Sequence, residues 1–283
     1  MSDINITYSK GIVEVPTLKS LFIEIRHDDI TLSVGTAFLV ANDQQSHCAL
    51  MTNRHNVTGR HQETGECLDK KHCAIPNNIV IHFYKNGTDS SEWFPVRLPL
   101  YRPDETPYWI EHPRLGAAAD VVALNLKWGS DVHKLPYYLK TEHDRVGMII
   151  YPAEPVSVIG FPFGLSSAAR FPIWATGFLA QELNLITPEN PRFLIDCRTR
   201  QGQSGSAVIA YRPSGYRSLK DGKVIAQLSH SKTWEFLGIY SGRVNPESDL
   251  GCVWHVSAIQ EVLDASERDM KTRQAAANAQ TAG

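Results

Sequence analysis

Apolar and polar residues alternate over short distances through most of the chain, and the runs they form have the length of strands. β-Branched and aromatic residues gather in Leu21-Phe22-Ile23-Glu24-Ile25, in Asn78-Ile79-Val80-Ile81-His82-Phe83-Tyr84 and in Val121-Val122-Ala123-Leu124. Each run is as long as a β-strand and too short for a buried helix. Between them lie Asn86-Gly87, Arg102-Pro103-Asp104, Pro213-Ser214-Gly215 and Asp221-Gly222, the last just before Lys223-Val224-Ile225-Ala226. These residues supply the left-handed or proline-fixed dihedrals of a tight reversal. Many short strands between such turns predict a sandwich or barrel rather than βαβ units. Helical spacing appears once, where Val256, Ile259, Val262 and Leu263 would share one face and dock a C-terminal helix on the barrel. After about Ser266 the chain turns charged and then Ala/Asn/Gln-rich down to Gly283. A tail with so little to bury is expected to fray or to be disordered. Residues 129–146, with Leu135-Pro136-Tyr137-Tyr138 inside, show no strand alternation and form the candidate linker between two halves. No internal repeat is visible.

Composition narrows the class. With 283 residues, 42% of them hydrophobic, the chain can fill one large core or two packed half-domains. Lys plus Arg total 28 against 30 for Asp plus Glu, so the net charge of -2 provides no broad basic field for nucleic acid or an acidic membrane. No stretch approaches the roughly 20 apolar residues of a membrane span. The opening Met1-Ser2-Asp3-Ile4-Asn5 lacks the charged-then-apolar layout of a signal peptide. The expectation is a cytoplasmic protein. Five cysteines, Cys48, Cys67, Cys73, Cys197 and Cys252, are an odd number at irregular spacing and are expected as reduced thiols. On that reading the Asn-x-Ser/Thr sequons at Asn5, Asn56 and Asn86 are chance matches.

One turn carries candidate chemistry. Thr199-Arg200-Gln201-Gly202-Gln203-Ser204-Gly205-Ser206 places Ser204 between glycines just before an apolar run. A serine hydroxyl is a weak nucleophile until a histidine takes its proton and a buried carboxylate orients that histidine. Two apolar runs, Gly35 to Val40 and Cys48 to Met51, read as a hairpin that delivers His55 at its far end. Asp120 opens the apolar run Val121 to Leu126, at a strand edge where it could lie behind an imidazole. Asp104 and Asp131 are rival carboxylates, but neither opens an apolar strand.

The stretches GTAFLV (35–40) with ALMTNRH (49–55), DVVALNL (120–126) and GQSGSAV (202–208) resemble, in that order, the His, Asp and Ser blocks of chymotrypsin-like (trypsin-like) serine proteases. The resemblance is to the bacterial HtrA and glutamyl endopeptidase branch in particular. SVIGFPFGL (157–165), WATGFL (174–179), FLGIYSGR (236–243) and CVWHVSAIQEVL (252–263) match later blocks, so the likeness runs from about residue 18 to 265. It implies an all-β fold of two six-stranded antiparallel barrels with a C-terminal helix. The halves would be residues 18–128, carrying His55 and Asp120, and 147–256, carrying Ser204, joined by 129–146 and followed by helix and tail at 257–283. It further implies a serine endopeptidase with His55 as general base, Asp120 as its orienter and Ser204 as nucleophile. The backbone N–H groups of Gly202 and Ser204 would form the oxyanion hole. The substrate would be a protein or peptide, bound by Arg198, Thr199, Tyr240, Ser241 and Gly242, and no cofactor is implied. The alternative is a protease-shaped binding or scaffold protein, inactive until a regulatory protein partner orders its oxyanion turn.

The chain departs from the pattern in several places. Gln203 stands where digestive members carry an aspartate that pairs with a newly cut N-terminus, and it resembles the amide found in the HtrA and glutamyl endopeptidase branches. Such a chain is expected to need no zymogen cleavage. Asn56 follows His55 where secreted members have a cysteine, and no HtrA-type PDZ domain is expected. Arg198 occupies the place of the tryptic aspartate, which argues against a tryptic preference. Thr199 matches a pocket residue of glutamyl endopeptidases, but Tyr240 replaces their pocket histidine. With Arg198 and Arg243 nearby, an acidic residue before the scissile bond is compatible with the charges. His61, Cys67, His72 and Cys73 are zinc-ligand types in the loop after His55, yet their spacing fits no closed motif, and a surface loop without metal is expected.

Overall fold

The computed structural model describes residues 6–8, 11–86, 92–167, 170–229, 231–245 and 247–281. The opening pentapeptide with its Asn5 sequon, Gly87 of the Asn86-Gly87 turn and the last residue, Gly283, lie outside them. A hairpin of β1 (Ile6–Tyr8) and β2 (Gly11–Val13) leads into a short helix, α1 (Val15–Lys19). The first half then runs through β3 (Ser20–His27), β4 (Ile30–Ala41), β5 (Cys48–Thr52), helix α2 (Arg54–Thr58), β6 (Asn78–Tyr84), β7 (Trp93–Pro99), β8 (Trp109–Glu111), β9 (Val122–Asn125) and β10 (Tyr137–Tyr138). These strands pair in the order β7-β6-β3-β4-β5-β9-β8, with β10 added parallel to β4. The half thus has eight strands where six were expected. The added pairing has a simple cause: β3 runs out opposite Phe38, so Val40 and Ala41 of the long β4 have one edge free, and Tyr137 and Tyr138 take it.

The second half comprises β11 (Pro155–Gly160), β12 (Ile173–Leu179), β13 (Arg192–Asp196), β14 (Ala207–Arg212), β15 (Tyr216–Lys220), β16 (Lys223–Gln227), β17 (Thr233–Arg243) and β18 (Leu250–His255). Six of them close a barrel in the order β11-β12-β13-β18-β17-β14, and β15 with β16 forms a separate hairpin. Asp221 and Gly222 turn that hairpin with φ of 51° and 73°, the left-handed pair that a two-residue reversal requires. The fold is therefore the expected all-β, chymotrypsin-like arrangement.

One core cluster is shared by both halves. The Tyr137 ring stacks on Phe236 at 4.4 Å, and Phe38 meets the two rings edge-on at 5.6 and 5.5 Å. Ile259, Val262 and Leu263 of helix α3 (Val256–Thr281) are buried in the same cluster. A buried ion pair lies beside it: Lys19 Nζ reaches both oxygens of Asp144 at 2.6 and 2.7 Å and donates to the Pro136 carbonyl at 2.9 Å. Asp144 also accepts from the Tyr138 N–H and from Trp234 Nε1. Within residues 129–146, Pro136, Tyr137, Leu139 and Asp144 are buried, whereas Gly129 to Asp131 and Lys140 are exposed.

Two expectations are corrected. The tail past Ser266 is helical to Thr281. Its Ala-rich sequence has high helix propensity, and Glu267–Lys271 at 2.6 Å and Asp269–Arg273 at 2.9 Å add ion pairs one turn apart. Not all five cysteines are thiols either, because Cys67 and Cys73 form a disulfide with Cα atoms 5.4 Å apart. An odd count and irregular spacing argue against a disulfide framework, but one local bridge needs only a turn that brings two Cα atoms within range. The cysteine count therefore no longer supports a reducing compartment. Cys48, Cys197 and Cys252 are free, and burial pushes their thiols up to about 12, 11 and 11. Among the described residues no helix is long and apolar enough to cross a membrane.

Candidate active site

The hairpin of β4 and β5 ends at Thr52, and the chain turns at once into α2, which carries His55. Gly59, at φ 65°, ends that helix and gives its N–H to the His55 carbonyl at 2.9 Å. Asn53, fully buried, donates to the Asp120 carbonyl at 2.6 Å and so ties the start of α2 to the approach of β9. The carboxylate of Asp120 is held twice by His55. Oδ1 accepts the backbone N–H at 2.9 Å, and Oδ2 lies 2.7 Å from Nδ1. A carboxylate can only accept, so the proton of that contact belongs to Nδ1, which in the neutral ring leaves Nε2 as the basic nitrogen. Burial alone would push the Asp120 carboxyl up. The charge of His55 and the hydrogen bonds from His55 and Ser241 outweigh it and hold the group below its ordinary range. Asp104 and Asp131 lie elsewhere, the first bonded to Thr106 in an exposed turn and the second exposed near Asn86.

Ser241, expected to bind substrate, donates its hydroxyl to Asp120 Oδ2. A β-bulge does this: β17 and β18 pair at Tyr240 and again at Gly242, and Ser241 is the extra residue between. The Ser241 carbonyl accepts from Ser204 Oγ at 3.1 Å. The structure thus joins Ser204, Ser241, Asp120 and His55 in one hydrogen-bonded chain, with the Ser204 hydroxyl resting on Ser241 rather than on the imidazole.

The turn before β14 is tightly constrained. Gly202 has φ 93°, and a Cβ there would sit 2.4 Å from the Phe161 carbonyl, so only glycine fits. The Gln203 side chain is buried and accepts the Arg200 N–H at 2.8 Å, bracing the turn from within. The turn's carbonyls are all engaged: Gln201 accepts from the Phe163 N–H at 2.6 Å, Gly202 from Thr36 Oγ1 at 2.9 Å, Gln203 from the Ser206 N–H at 3.0 Å, and Ser204 from the Thr36 N–H at 3.0 Å. Asn56 Nδ2 adds a longer contact to the Ser204 carbonyl at 3.3 Å. Among the described residues nothing accepts from the N–H groups of Gly202 and Ser204. Two donors are thus left for a ligand oxygen.

The remaining expected residues fall beside this turn. Thr199 is fully buried, and its hydroxyl is bonded to that of Tyr240, whose phenol burial pushes up to about 12. Arg198 is turned to solvent at 82% exposure and pairs with Asp249 at 3.3 Å. Gly242 resumes the strand pairing after the bulge. In the loop after α2, the disulfide takes Cys67 and Cys73 out of any ligand set, and His72 Nδ1 lies 3.0 Å from Asp69. Among the described residues no group of three His, Cys, Asp or Glu is placed to hold a metal ion. Sequence reasoning did not single out Thr36 or the contact role of Asn56. The only signal was position: Thr36 lies within the GTAFLV block, and Asn56 directly follows the block that ends at His55.

The chain matches the trypsin-like peptidase domain over residues 35–213. Among solved structures it is similar to a serine endoprotease from Yersinia pestis, with a TM-score of 0.48 and 12% identity over 91% of this chain and 68% of that one. It is also similar to the active form of the Rv3671c protease from M. tuberculosis, with a TM-score of 0.44 and 15% identity over 88% of this chain and 81% of that one. No curated protein matches it in sequence.

Proposed function

The chain belongs to the trypsin-like peptidase family and is a serine endopeptidase, and on that premise we propose that Ser204, His55 and Asp120 are its catalytic residues. The Ser204 hydroxyl leaves the Ser241 carbonyl for His55 Nε2, gives up its proton there, and attacks the carbonyl carbon of a peptide bond. Asp120 keeps the proton on Nδ1 and stabilises the imidazolium that forms. The oxyanion meets the N–H groups of Gly202 and Ser204, donors fixed in place before charge develops. His55 then gives its proton to the leaving amine, an acyl-enzyme remains on Ser204, and a water activated by the same imidazole releases the acid. No cofactor enters these steps. Gln203 supports activity without N-terminal cleavage, since it braces the turn through Arg200 and needs no ion-pair partner.

One observation carries the reading most: a buried carboxylate bonded twice to one histidine, joined through Ser241 to a serine whose turn leaves two N–H groups without an acceptor among the described residues. The residues beside the turn bear on specificity. Thr199 and Tyr240 are buried, neutral and bonded to each other, and the charge of Arg198 is met by Asp249. This supports an uncharged residue before the scissile bond in preference to an acidic one. Digestion of a peptide library by the wild type and by Ser204→Ala tests both points. The expected result is cleavage after uncharged residues by the wild type alone. Equal cleavage by the two proteins refutes the role of Ser204, and cleavage after Asp or Glu refutes the specificity.

A further inference from the structure

We propose that Thr36 is a positioning residue of this site, which sets the oxyanion turn of the second half against the base carried by the first. The inference rests on the proposed function and extends it to a residue outside the reacting groups. Thr36 lies on β4, paired with Phe22 in the interior of the first half, and is fully buried. All three of its polar groups are engaged at the junction. Its hydroxyl donates to the Gly202 carbonyl at 2.9 Å, 166 residues away in sequence, and accepts from the Phe161 N–H at 3.2 Å. Its N–H donates to the Ser204 carbonyl at 3.0 Å. Its own carbonyl accepts from Thr52 Oγ1 at 2.9 Å, at the end of the strand that runs into the His55 helix.

The geometry gives these bonds a directional meaning. A peptide group is planar, so the orientation of a carbonyl limits where the N–H of the same peptide can point. Thr36 holds the carbonyls of Gly202 and Ser204, whose peptides carry the N–H groups of Gln203 and Gly205; these two peptides flank the one that carries the Ser204 N–H, so fixing them sets that donor from both sides. The surroundings of Thr36 leave no room for a further side-chain carbon. A Cβ on Gly160 would lie 2.7 Å from Thr36 Oγ1 and 1.9 Å from Ser206 Oγ, and a Cβ on Gly205 would lie 2.0 Å from the Thr36 carbonyl. Since Thr36 is also tied to Thr52, one residue spans the gap between the carrier of His55 and the carrier of Ser204. Losing its hydroxyl frees the Gly202 carbonyl to rotate inward and leaves the Phe161 N–H unpaired.

The test compares Thr36→Val, which keeps the shape and removes the hydroxyl, with Thr36→Ser, which restores it. Two quantities are read: the second-order rate of labelling by a fluorophosphonate, whose P=O oxygen must enter the hole, and the downfield proton resonance of His55 Nδ1, which reports the pair with Asp120. The expected result for Thr36→Val is a labelling rate roughly 10- to 100-fold lower, somewhat less than outright loss of a hole donor, with the His55 resonance in place. Thr36→Ser should label within roughly threefold of the wild type on the same scale. Where Thr36→Val does not fold, Thr36→Ala takes its place with the same expectation. Labelling at the wild-type rate in a folded variant without the hydroxyl overturns the proposal. So does loss of the His55 resonance together with labelling, which marks a general structural role. A wild type that never labels refutes the proposed function itself, a result distinct from either.

Discussion

Lys19 and Asp144 offer the sharpest test of how the two halves are held. The pair joins α1 to the segment before β11 across 125 residues, with side chains 5% and 0% exposed. Burial lowers the Lys19 ammonium from its ordinary value, with Asp144 opposing that shift. Neither charge is thus supported by water, and each depends on the other. In Lys19→Met the Asp144 carboxylate stays buried with only the Tyr138 N–H at 2.8 Å and Trp234 Nε1 at 2.7 Å to solvate it. Breaking a buried pair from one side costs about 3–5 kcal/mol, and with two donors remaining the lower end, about 3 kcal/mol, is expected. In Asp144→Asn the ammonium keeps the Pro136 carbonyl and the Tyr137 ring face at 4.6 Å, and it is expected to shed its proton at a similar cost. The double variant buries no lone charge, so its loss should fall short of the sum of the single losses by about 2 kcal/mol or more. Urea unfolding of the four proteins measures this, with tryptophan fluorescence as the probe because Trp234 donates to Asp144 directly. Single losses below about 1 kcal/mol, the range of a surface pair, or strictly additive losses, refute the clamp.

Three further outcomes follow from other parts of the molecule. His255 sits at the start of α3 and accepts the Ser257 N–H on Nδ1 at 3.3 Å, and burial, helped by Arg145, lowers it from 6.5 to about 4. The folded state therefore favours the neutral ring. Its contribution is complete above pH 6.5 and is lost as pH falls from there toward 4, by up to about 3 kcal/mol at 1.36 kcal/mol for each tenfold change in proton affinity. Urea midpoints at pH 7.5 and 5 should show this fall, and His255→Asn, which keeps an acceptor at the helix start, should show less; an equal fall in both proteins contradicts the assignment. Asp120→Asn keeps the shape of the site but presents a donor to Nδ1, and kcat should drop on the order of 10⁴-fold. Hydrolysis within tenfold of the wild type would show that Asp120 does not orient His55. Gly205→Ala forces a side chain onto φ 86° and against the Thr36 carbonyl, and should cost at least about 2 kcal/mol of stability, with unchanged thermal unfolding as the opposing result.

Local patterns carried much of this structure in the sequence. The runs at 21–25, 78–84 and 121–124 are strands or their edges because a period of two and β-branched residues already specify a half-buried pleated surface. The spacing of Val256, Ile259, Val262 and Leu263 marked the face of α3 that is buried. The Asp221-Gly222 turn was legible from two residues. Pairings between distant segments were not. Nothing near Leu135-Pro136-Tyr137-Tyr138 shows that β4 has a free edge for it, and nothing near Ser241 shows that a bulge aims its hydroxyl at Asp120. Thr36 is the extreme case, an ordinary strand residue by its pattern whose hydroxyl meets a carbonyl 166 residues away. Arg198 shows its charge in the sequence, but the Asp249 carboxylate 3.3 Å from it is brought there only by the fold. Periodicity tells which face is buried, but the partner that meets a polar group depends on tertiary placement.

The central claim is that Ser204 is a nucleophile activated by His55 and oriented through Asp120. Its most direct measurement is the site of the adduct after exposure to a fluorophosphonate, which loses fluoride as the serine oxygen bonds to phosphorus, mapped by mass spectrometry in the wild type, Ser204→Ala and His55→Ala. The account predicts one adduct per chain on Ser204 in the wild type, none in Ser204→Ala, and formation slowed by several orders of magnitude in His55→Ala. An adduct on another residue, or equal labelling of the wild type and His55→Ala, contradicts it.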